Sequence, residues 1–410
     1  MKKIFSLLLV CMLLFLTACN QAPQGETTGN LQNQEQTKDT ERKETIVQNG
    51  SNEFIVLPSR ILFDHSVTSG QLPTKYVFYY SKADGKAYVY CFDPLCDHSM
   101  GKCLGQPIDL AQYGFLKMND IFFINNRFYG ATTSGNIVSF AFDGSDVKME
   151  YTGYEPISNI RPWSSNFTAY GPYIYIRMVA DESGNPHTLR FNTETKEMED
   201  LTEKTGNYID PYFFYNGEIY GSDSNLLWIK TDLDLKEKTS IEAPMYSSRF
   251  YGSVFFANAT DSETKQSIGL HAYDMKTGEL KLITHEMLGL EANPYVIVAV
   301  DENYVYFYQS KKIFVGQRES HWGLKNVYKS SDGKLYRVKH DGTECVCIYD
   351  NPEFDFDSLE AVVFENKMII RGYYVANRNG FAEFWDSQIK IGAMGEDGKI
   401  EKFENIELVY

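Results

Sequence analysis

The sequence lacks any long segment in which apolar residues recur every three to four positions. Because an amphipathic helix requires that spacing, we predict very little helix. The common catalytic signatures are also missing: there is no Gly-x-Ser-x-Gly, no His-Glu-x-x-His, no P-loop and no Gly-x-Gly-x-x-Gly. These absences favour a non-catalytic protein and leave open an enzyme without a familiar motif.

Positive charge is scarce as well. The 410 residues include 39 Lys and Arg against 55 Asp and Glu, and the formal net charge is −16. So acidic a body repels the phosphates of nucleic acids and the headgroups of anionic lipids. We therefore predict no nucleic-acid partner and no membrane binding through the protein surface, and we expect a monomer.

The N-terminus has the pattern of an export signal. Two lysines precede an apolar run from Ile4 to Leu16, which is too short for a stable transmembrane helix. The following Leu16-Thr17-Ala18-Cys19 resembles the bacterial lipobox. That resemblance implies cleavage before Cys19 and diacylation of its sulfur, which would anchor the protein to the outer, extracytoplasmic face of the cell membrane. The alternative is an ordinary secreted protein.

Three segments follow from composition. Residues 1–18 are the predicted lipoprotein signal peptide. Residues 19–52 comprise the lipidated Cys19 and a Gln-, Asn-, Thr- and Glu-rich tether without aromatic residues, which cannot bury enough surface to fold and would span roughly 30 Å. Residues 53–410 have a uniform, aromatic-rich composition and are predicted to form one domain.

A hairpin repeat organises this domain. LYRVKHDGTECVCIYD, from Leu335 to Asp350, alternates apolar and polar residues on both sides of Asp341-Gly342, as a half-buried β-hairpin does. Aromatic-rich strand pairs, with tight turns such as Asn216-Gly217 and Glu365-Asn366, precede hairpins of this kind. The seven hairpins begin at Ala87, Ile137, Thr188, Leu227, Leu270, Leu335 and Ile389.

Two successive hairpins make a four-stranded antiparallel unit that cannot bury both of its faces alone, whereas a closed ring of such units can. We therefore predict an all-β fold, a seven-bladed β-propeller. Rings of six or eight blades, or a pair of β-sandwiches, are the alternatives. The hairpin LYRVKHDGTE resembles the repeats of bacterial propellers related to low-density-lipoprotein-receptor-type propeller domains, which implies the fold and a tendency to bind, but no reaction.

A cysteine-rich turn is the densest group of candidate ligands. Cys91, Cys96, His98 and Cys103 match the ligand types of a structural zinc site and are assigned to the outer hairpin of the first blade. A Cys96–Cys103 disulfide is the alternative, because thiols oxidise outside the membrane. Either arrangement would fasten the turn. Cys345 and Cys347 are two apart on one strand and are predicted to be buried apolar residues.

Long connections between the second and third strands of a blade open on the face where propellers usually bind ligands. They are predicted at Val179–His187, Asn258–Ser267, Gln309–Lys329 and Tyr373–Ser387. Exposed aromatic residues beside cations in such loops suggest recognition of a glycan or a protein, and packing of the rings onto the rim is the alternative. The candidates are Arg318, His321, Trp322, Tyr373, Tyr374, Arg378 and Trp385, with Arg161 and Trp163 in the connection into the third blade.

The sequence therefore predicts a membrane-anchored lipoprotein whose propeller binds a glycan, a peptide or an envelope protein without catalysis. An exported carbohydrate hydrolase or lyase, with its site at the mouth of the propeller channel, is the alternative. Such an enzyme would need two carboxylates at a defined separation.

Overall fold

The computed structural model of the chain describes residues 46–47, 54–56, 59–68, 73–90, 121–125, 127–131, 136–141, 146–152, 167–178, 185–225, 227–241, 246–260, 267–284, 295–320, 323–352, 354–378 and 381–409. These ranges contain thirty strands and a single short helix, so the predicted all-β fold is confirmed. Within them, no helix is long and apolar enough to cross a membrane.

Seven antiparallel sheets of four consecutive strands form the blades. Blade 1 consists of β2 (Phe54–Val56), β3 (Arg60–Thr68), β4 (Pro73–Ser81) and β5 (Ala87–Val89). Blade 2 consists of β6 (Ile121–Ile124), β7 (Arg127–Ala131), β8 (Ile137–Phe140) and β9 (Lys148–Tyr151). Blade 3 consists of β10 (Phe167–Tyr170), β11 (Tyr173–Met178), β12 (His187–Asn192) and β13 (Met198–Asp200). Blade 3 is followed by the helix α1 (Leu201–Thr205), which Asp200 caps at its N-terminus and Gly206 at its C-terminus.

The remaining blades have the same order. Blade 4 consists of β14 (Asp210–Tyr215), β15 (Glu218–Ser222), β16 (Trp228–Asp232) and β17 (Lys238–Ser240). Blade 5 consists of β18 (Tyr246–Tyr251), β19 (Val254–Thr260), β20 (Ser267–Asp274) and β21 (Leu280–Thr284). Blade 6 consists of β22 (Tyr295–Val300), β23 (Tyr304–Ser320), β24 (Gly323–Lys339) and β25 (Val346–Asp350). Blade 7 consists of β26 (Ser358–Phe364), β27 (Lys367–Arg378), β28 (Phe381–Ala393) and β29 (Glu404–Asn405).

Apolar clusters of described residues join the blades at six of the seven junctions, from blade 2 round to blade 1. At the junction of blades 1 and 2, Tyr90 contacts Phe128 edge to face. Alternation along a strand sends successive side chains to opposite neighbours. In blade 7, Met368 and Ile370 pack against blade 6, whereas Ile369 packs against blade 1. The first strands of neighbouring blades contact one another, which places them nearest the axis of the ring. The predicted seven-bladed β-propeller is confirmed.

The last residues close the ring. β29 pairs with β28 in blade 7, and the chain then continues as β30 (Leu408–Val409), which pairs in parallel with β5 on the outer edge of blade 1. Ile406, which is 5% exposed, lies between these two strands in the same apolar cluster as Phe63 and Ile389. The C-terminus therefore links the last blade to the first.

The two faces of the ring differ. One face, called the turn face here, carries the short turns between the first and second strands and between the third and fourth. Asn216-Gly217 and Glu365-Asn366 occupy two of these turns in left-handed backbone conformations, which confirms their prediction as tight turns. The other face carries the connections between the second and third strands.

An N-terminal strand reaches the axis of the ring from the turn face. This strand, β1 (Ile46–Val47), pairs antiparallel with β14, with Ile46 opposite Tyr215 and Val47 opposite Phe214. Because β14 runs towards the turn face and β1 runs against it, the N-terminal end of β1, at Ile46, lies on the side of the turn face. β1 adds a fifth strand to the inner edge of blade 4.

A recurring tyrosine shows the repeat at the level of single residues. Tyr129, Tyr175, Tyr220 and Tyr306 occupy the same position on the second strand of blades 2, 3, 4 and 6. Opposite Tyr175 and Tyr306 lie Arg190 and Arg337 on the third strands. Burial raises the pKa of Tyr175, Tyr220 and Tyr306, which keeps their hydroxyls protonated.

The two arginines fasten their blades to the next one in the ring. Arg190 donates to the carbonyl oxygen of Leu233 and to Asp234, both at 2.9 Å, in a turn of blade 4. Arg337 donates to the carbonyl oxygen of Asp397 in the corresponding turn of blade 7, at 3.1 Å. Burial opposes the charge of Arg190, but hydrogen bonds with Glu199 and Asp234 hold its pKa above the usual value.

The hairpin that served as the sequence template forms as predicted, with its turn at Asp341-Gly342 between β24 and β25. Gly342 has a φ of +89°, and a Cβ atom there would lie 2.6 Å from the carbonyl oxygen of Ile283 in blade 5. Only glycine satisfies both the left-handed backbone and this close approach.

His340, beside that turn, should make stability depend on acid pH. Its ring centroid lies 4.7 Å from that of Phe256 and 5.9 Å from that of Tyr251, and burial lowers its pKa from the ordinary value of 6.5, against the weaker opposing effects of Asp301 and Asp341. A lowered pKa contributes stability above 6.5 that is lost as the pH falls through the folded pKa. We expect the wild-type melting temperature to fall more steeply than that of His340→Gln below pH 6.5. Parallel slopes in thermal scans would contradict this.

The first blade differs from its prediction. Ala87–Val89 was expected to open an outer hairpin that contains the cysteines, but it is the fourth strand of blade 1 and pairs with Phe78–Tyr80. The strand Arg60–Thr68, which the repeat count omitted, is the second. The predicted zinc ligands Cys91, Cys96, His98 and Cys103 consequently fall between blades 1 and 2, in residues 91–120, outside the described residues.

Candidate functional site

Three adjacent blades carry long two-stranded ribbons on the face opposite the turns. In blades 1, 6 and 7 the second and third strands continue as an antiparallel pair beyond their neighbours in the sheet. We call these pairs ribbon 1 (residues 64–68 and 73–77), ribbon 6 (310–320 and 323–333) and ribbon 7 (374–378 and 381–386). Together they define the ribbon face. The predicted loops at 309–329 and 373–387 are therefore largely strands.

Ribbon 6 is anchored at its base by a buried polar group. Ser330 is fully buried; its hydroxyl oxygen accepts from the Lys312 ammonium at 2.6 Å and lies 3.1 Å from Ser310 Oγ. Lys312 also donates to the carbonyl oxygen of Asp357 at 3.0 Å, and the Asp357 carboxylate accepts from the Ser330 amide at 2.8 Å. Desolvation of the ammonium lowers the pKa of Lys312, although the residue as a whole is exposed.

A serine next to a lysine of lowered pKa is the nucleophile–base pair of some hydrolases. Here the serine has an exposed fraction of 0%, so a substrate does not reach its hydroxyl. The group instead fixes ribbon 6 to the segment that leads into blade 7. Gly333 supports this packing, since a Cβ atom there would lie 1.7 Å from the carbonyl oxygen of Phe354.

The bases of the three ribbons are joined to one another. The Asp357 amide donates to the carbonyl oxygen of Tyr373, at the base of ribbon 7, at 2.8 Å. On the other side of ribbon 7, Ser387 Oγ lies 3.1 Å from Nδ1 of His65, at the base of ribbon 1, and both side chains are buried. A continuous series of polar contacts therefore holds the ribbons in fixed relative positions.

A buried ion pair lies beneath ribbon 7. Arg371, which is 3% exposed, donates through Nε to Glu360 at 2.6 Å and makes a second contact with the same carboxylate through Nη2. The Tyr373 hydroxyl donates to Glu360 at 3.2 Å. The Arg371 guanidinium also lies over the rings of Tyr373 and of Phe54 in blade 1. These contacts fill the seam between blades 7 and 1.

Ribbon 6 exposes apolar side chains on two neighbouring residue pairs. Phe314 and Tyr328 are paired across the strands with their ring centroids 5.8 Å apart, and Ile313 is opposite Lys329. Ile313, Phe314 and Tyr328 are 52%, 54% and 45% exposed. This segment was predicted to contact a ligand, but through other residues. The prediction rested on arginine, histidine and tryptophan near a loop tip and did not include these three residues.

The predicted ligand-face residues lie in different parts of the molecule. Tyr373 is half-buried in the seam, and Arg318 lies on ribbon 6. Ribbon 7 carries Tyr374, Arg378 and Trp385 on its strands. Outside the described residues lie Cys19, Arg161, Trp163, His321 and Trp322. The ribbons thus bring two of the predicted segments together and add a third, ribbon 1, that the sequence did not indicate.

The described part of the chain contains no group of three His, Cys, Asp or Glu side chains placed to hold a metal ion. Its two cysteines, Cys345 and Cys347, form no disulfide and are half-buried. Burial raises the pKa of Cys345 to about 11 and also raises that of Cys347, so both remain thiols at neutral pH.

No protein-family model matches the chain, and no curated protein matches it. Solved structures similar to it include the N-terminal domain of Nup159 (12% identity, TM-score 0.43, covering 70% of this chain and 76% of that one). They also include the computationally designed Ika8 protein (9% identity, TM-score 0.42, covering 84% of this chain and 89% of that one). A third is BamB from Moraxella catarrhalis (9% identity, TM-score 0.40, covering 88% of this chain and 87% of that one). These likenesses assign no function to this chain.

Proposed function

We propose that this chain is a membrane-anchored, extracytoplasmic lipoprotein whose propeller is a non-catalytic binding module for a glycan or an envelope protein. The ribbon face is its binding surface. The observation that carries the proposal is the presence of three long ribbons on three consecutive blades, joined at their bases by Asp357, Tyr373, Ser387 and His65. Extended segments held by a rigid scaffold are where binding residues are concentrated in proteins.

The path of the N-terminal segment supports an orientation. β1 enters from the turn face, and the tether that precedes it would lead to the lipid on Cys19. The ribbon face then points away from the membrane that holds the protein. The inner edge of blade 4 is covered by β1, and this also favours a ligand at the rim over one inside the ring.

Site-specific photo-crosslinking in the source cells tests the proposal. A benzoylphenylalanine residue would replace Ser66, Gln317 or Asn377, one on each ribbon, in the full chain with its own N-terminus. Matched positions on the turn face are Glu194 and Thr277, which are exposed. We expect one protein or glycan species to be crosslinked from the ribbons and not from the turns.

Equal crosslinking from both faces, or none from the ribbons, would overturn the binding surface. A Cys19→Ser arm tests the anchor, because the diacyl group can no longer form and processing should fail; normal processing and membrane retention of this variant would contradict it. Release of sugar from an envelope polysaccharide by the wild-type chain would instead support the alternative of a carbohydrate-active enzyme.

A further inference from the structure

Ribbon 6 combines exposed apolar side chains with positive charge, and these two features together define a partner. We infer that ribbon 6 is a docking arm for an acidic protein, which packs on the Phe314–Tyr328 pair, encloses Ile313 on the other side of the ribbon, and meets the net positive charge of the ribbon with its carboxylates. The inference rests on the proposed function, because it names the class of partner for one part of the ribbon face.

The apolar feature is local. The described residues include eleven large hydrophobic side chains that are at least 36% exposed, and three of these lie on two adjacent residue pairs of ribbon 6. Single exposed apolar side chains are common on protein surfaces, whereas neighbouring ones such as the Phe314–Tyr328 pair mark interfaces. Ile313, the adjacent residue on the strand, projects from the other side of the ribbon. A two-stranded ribbon is also only marginally stable in water by itself, so a bound partner would stabilise it.

The charge of ribbon 6 is opposite to that of the body. Ribbon 6 contains five Lys and Arg against Glu319 and Asp332, a net charge of +3 in a chain with a formal charge of −16. Lys311 pairs with Asp332 at 2.8 Å, and Lys329 pairs with Asp355 at 3.6 Å. Phe314 lies five residues beyond Gln309, the last residue paired with β22, and thus roughly 15 Å beyond the four-stranded sheet. That is about two Debye lengths at physiological ionic strength, so charges beyond Phe314 are largely screened from the negative body.

The side chains favour a protein over a sugar or a membrane. Ile313 has no ring face on which a sugar could stack, and the rings of Phe314 and Tyr328 already meet edge to face, at 68°. Aromatic residues and arginine are enriched in protein interfaces. The N-terminal end of β1 lies on the side of the turn face, so the proposed lipid anchor would point ribbon 6 away from the membrane.

Binding of a labelled acidic copolymer of glutamate and tyrosine to the full chain in nonionic detergent micelles tests the inference. We expect Phe314→Ser/Tyr328→Ser to weaken binding at least about tenfold. Arg318→Glu/Lys325→Glu should weaken it to a similar extent, and raising NaCl from about 50 to about 300 mM should weaken binding of the wild type.

The matched control is Leu280→Ser/Leu282→Ser on β21, the outermost strand of blade 5. Leu280 and Leu282 are 39% and 44% exposed, so this variant removes a similar exposed apolar pair elsewhere on the ring. We expect it to bind like the wild type. Every variant must keep the wild-type melting temperature. If Phe314→Ser/Tyr328→Ser does not, Phe314→Gln/Tyr328→Gln takes its place and should show the same loss of binding.

Three results would overturn the inference: no binding of the copolymer, an equal loss in the Leu280/Leu282 control, or tighter ribbon-dependent binding of phosphatidylglycerol nanodiscs or polygalacturonate than of the copolymer. Any of these combined with crosslinks confined to the ribbon face would leave the proposed function standing. Loss of those crosslinks would refute the function itself, whatever the copolymer does.

Discussion

A chain that ends at Phe403 is expected to lose much of its stability, because its ring can no longer close. The deletion removes β29, β30 and Ile406, together with the hydrogen bonds from the Ala87 amide to the Glu407 carbonyl oxygen and from the Ile406 amide to that of Ile389. Burial of Ile406 and Leu408 and these backbone bonds are together worth about 3 to 6 kcal/mol. Urea unfolding, followed by intrinsic fluorescence, would measure the loss.

The matched control for this deletion is Glu407→Gln. It removes only the ion pair with Lys86, whose charged groups are well exposed, and exposed pairs contribute little. We expect its unfolding midpoint to match that of the wild type. If the deletion also unfolds at the wild-type midpoint, the contact of β30 with blade 1 does not close the ring.

Local features explain which parts of the fold were predictable. The β24–β25 hairpin was predicted with its turn because the alternation and Asp341-Gly342 lie within sixteen consecutive residues. The blade count followed in the same way, from repeated hairpins of similar length. β30 could not be found, because a strand of two residues carries no periodicity.

The first blade shows how one misassigned strand changes the assignment of the segment that follows it. Tyr76–Tyr80 has the aromatic signature of an inner pair, so the strand after it was taken as the start of an outer hairpin. In the structure Pro73–Ser81 is the third strand, and its partner Arg60–Thr68 contains Asp64, His65 and Ser66, whose polarity masks the alternation expected of a strand. The cysteines were consequently assigned to the wrong connection.

The contacts that assemble the ribbon face join residues far apart in sequence. His65 and Ser387 are 322 positions apart, and they meet only because blade 7 packs against blade 1. A sequence pattern describes neighbours along the chain and says nothing of which blades become adjacent on closure. The segments of ribbons 6 and 7 could be predicted as functional, but their strand structure and the participation of ribbon 1 could not.

Arg371→Met should be the most destabilising single substitution in the seam between blades 7 and 1. It leaves the Glu360 carboxylate, whose side chain is 17% exposed, without its cationic partner, and removal of one member of a buried ion pair costs about 3 to 5 kcal/mol. Methionine keeps much of the apolar stem, so the loss reports on the charge rather than on a cavity. Equilibrium unfolding in urea measures it.

Replacement of both partners separates pairing from packing. In Arg371→Met/Glu360→Met the uncompensated charge is gone, and the double variant should regain most of the stability that Arg371→Met loses. Arg371→Lys should stay destabilised, since an ammonium cannot reproduce both the two contacts to Glu360 Oε2 and the planar stacking of the guanidinium on the rings. Additive losses in the double variant would show that Arg371 acts through its contacts with Phe54 and Tyr373 instead. In that case the packing of the guanidinium on the two rings, and not the ion pair, holds the base of ribbon 7.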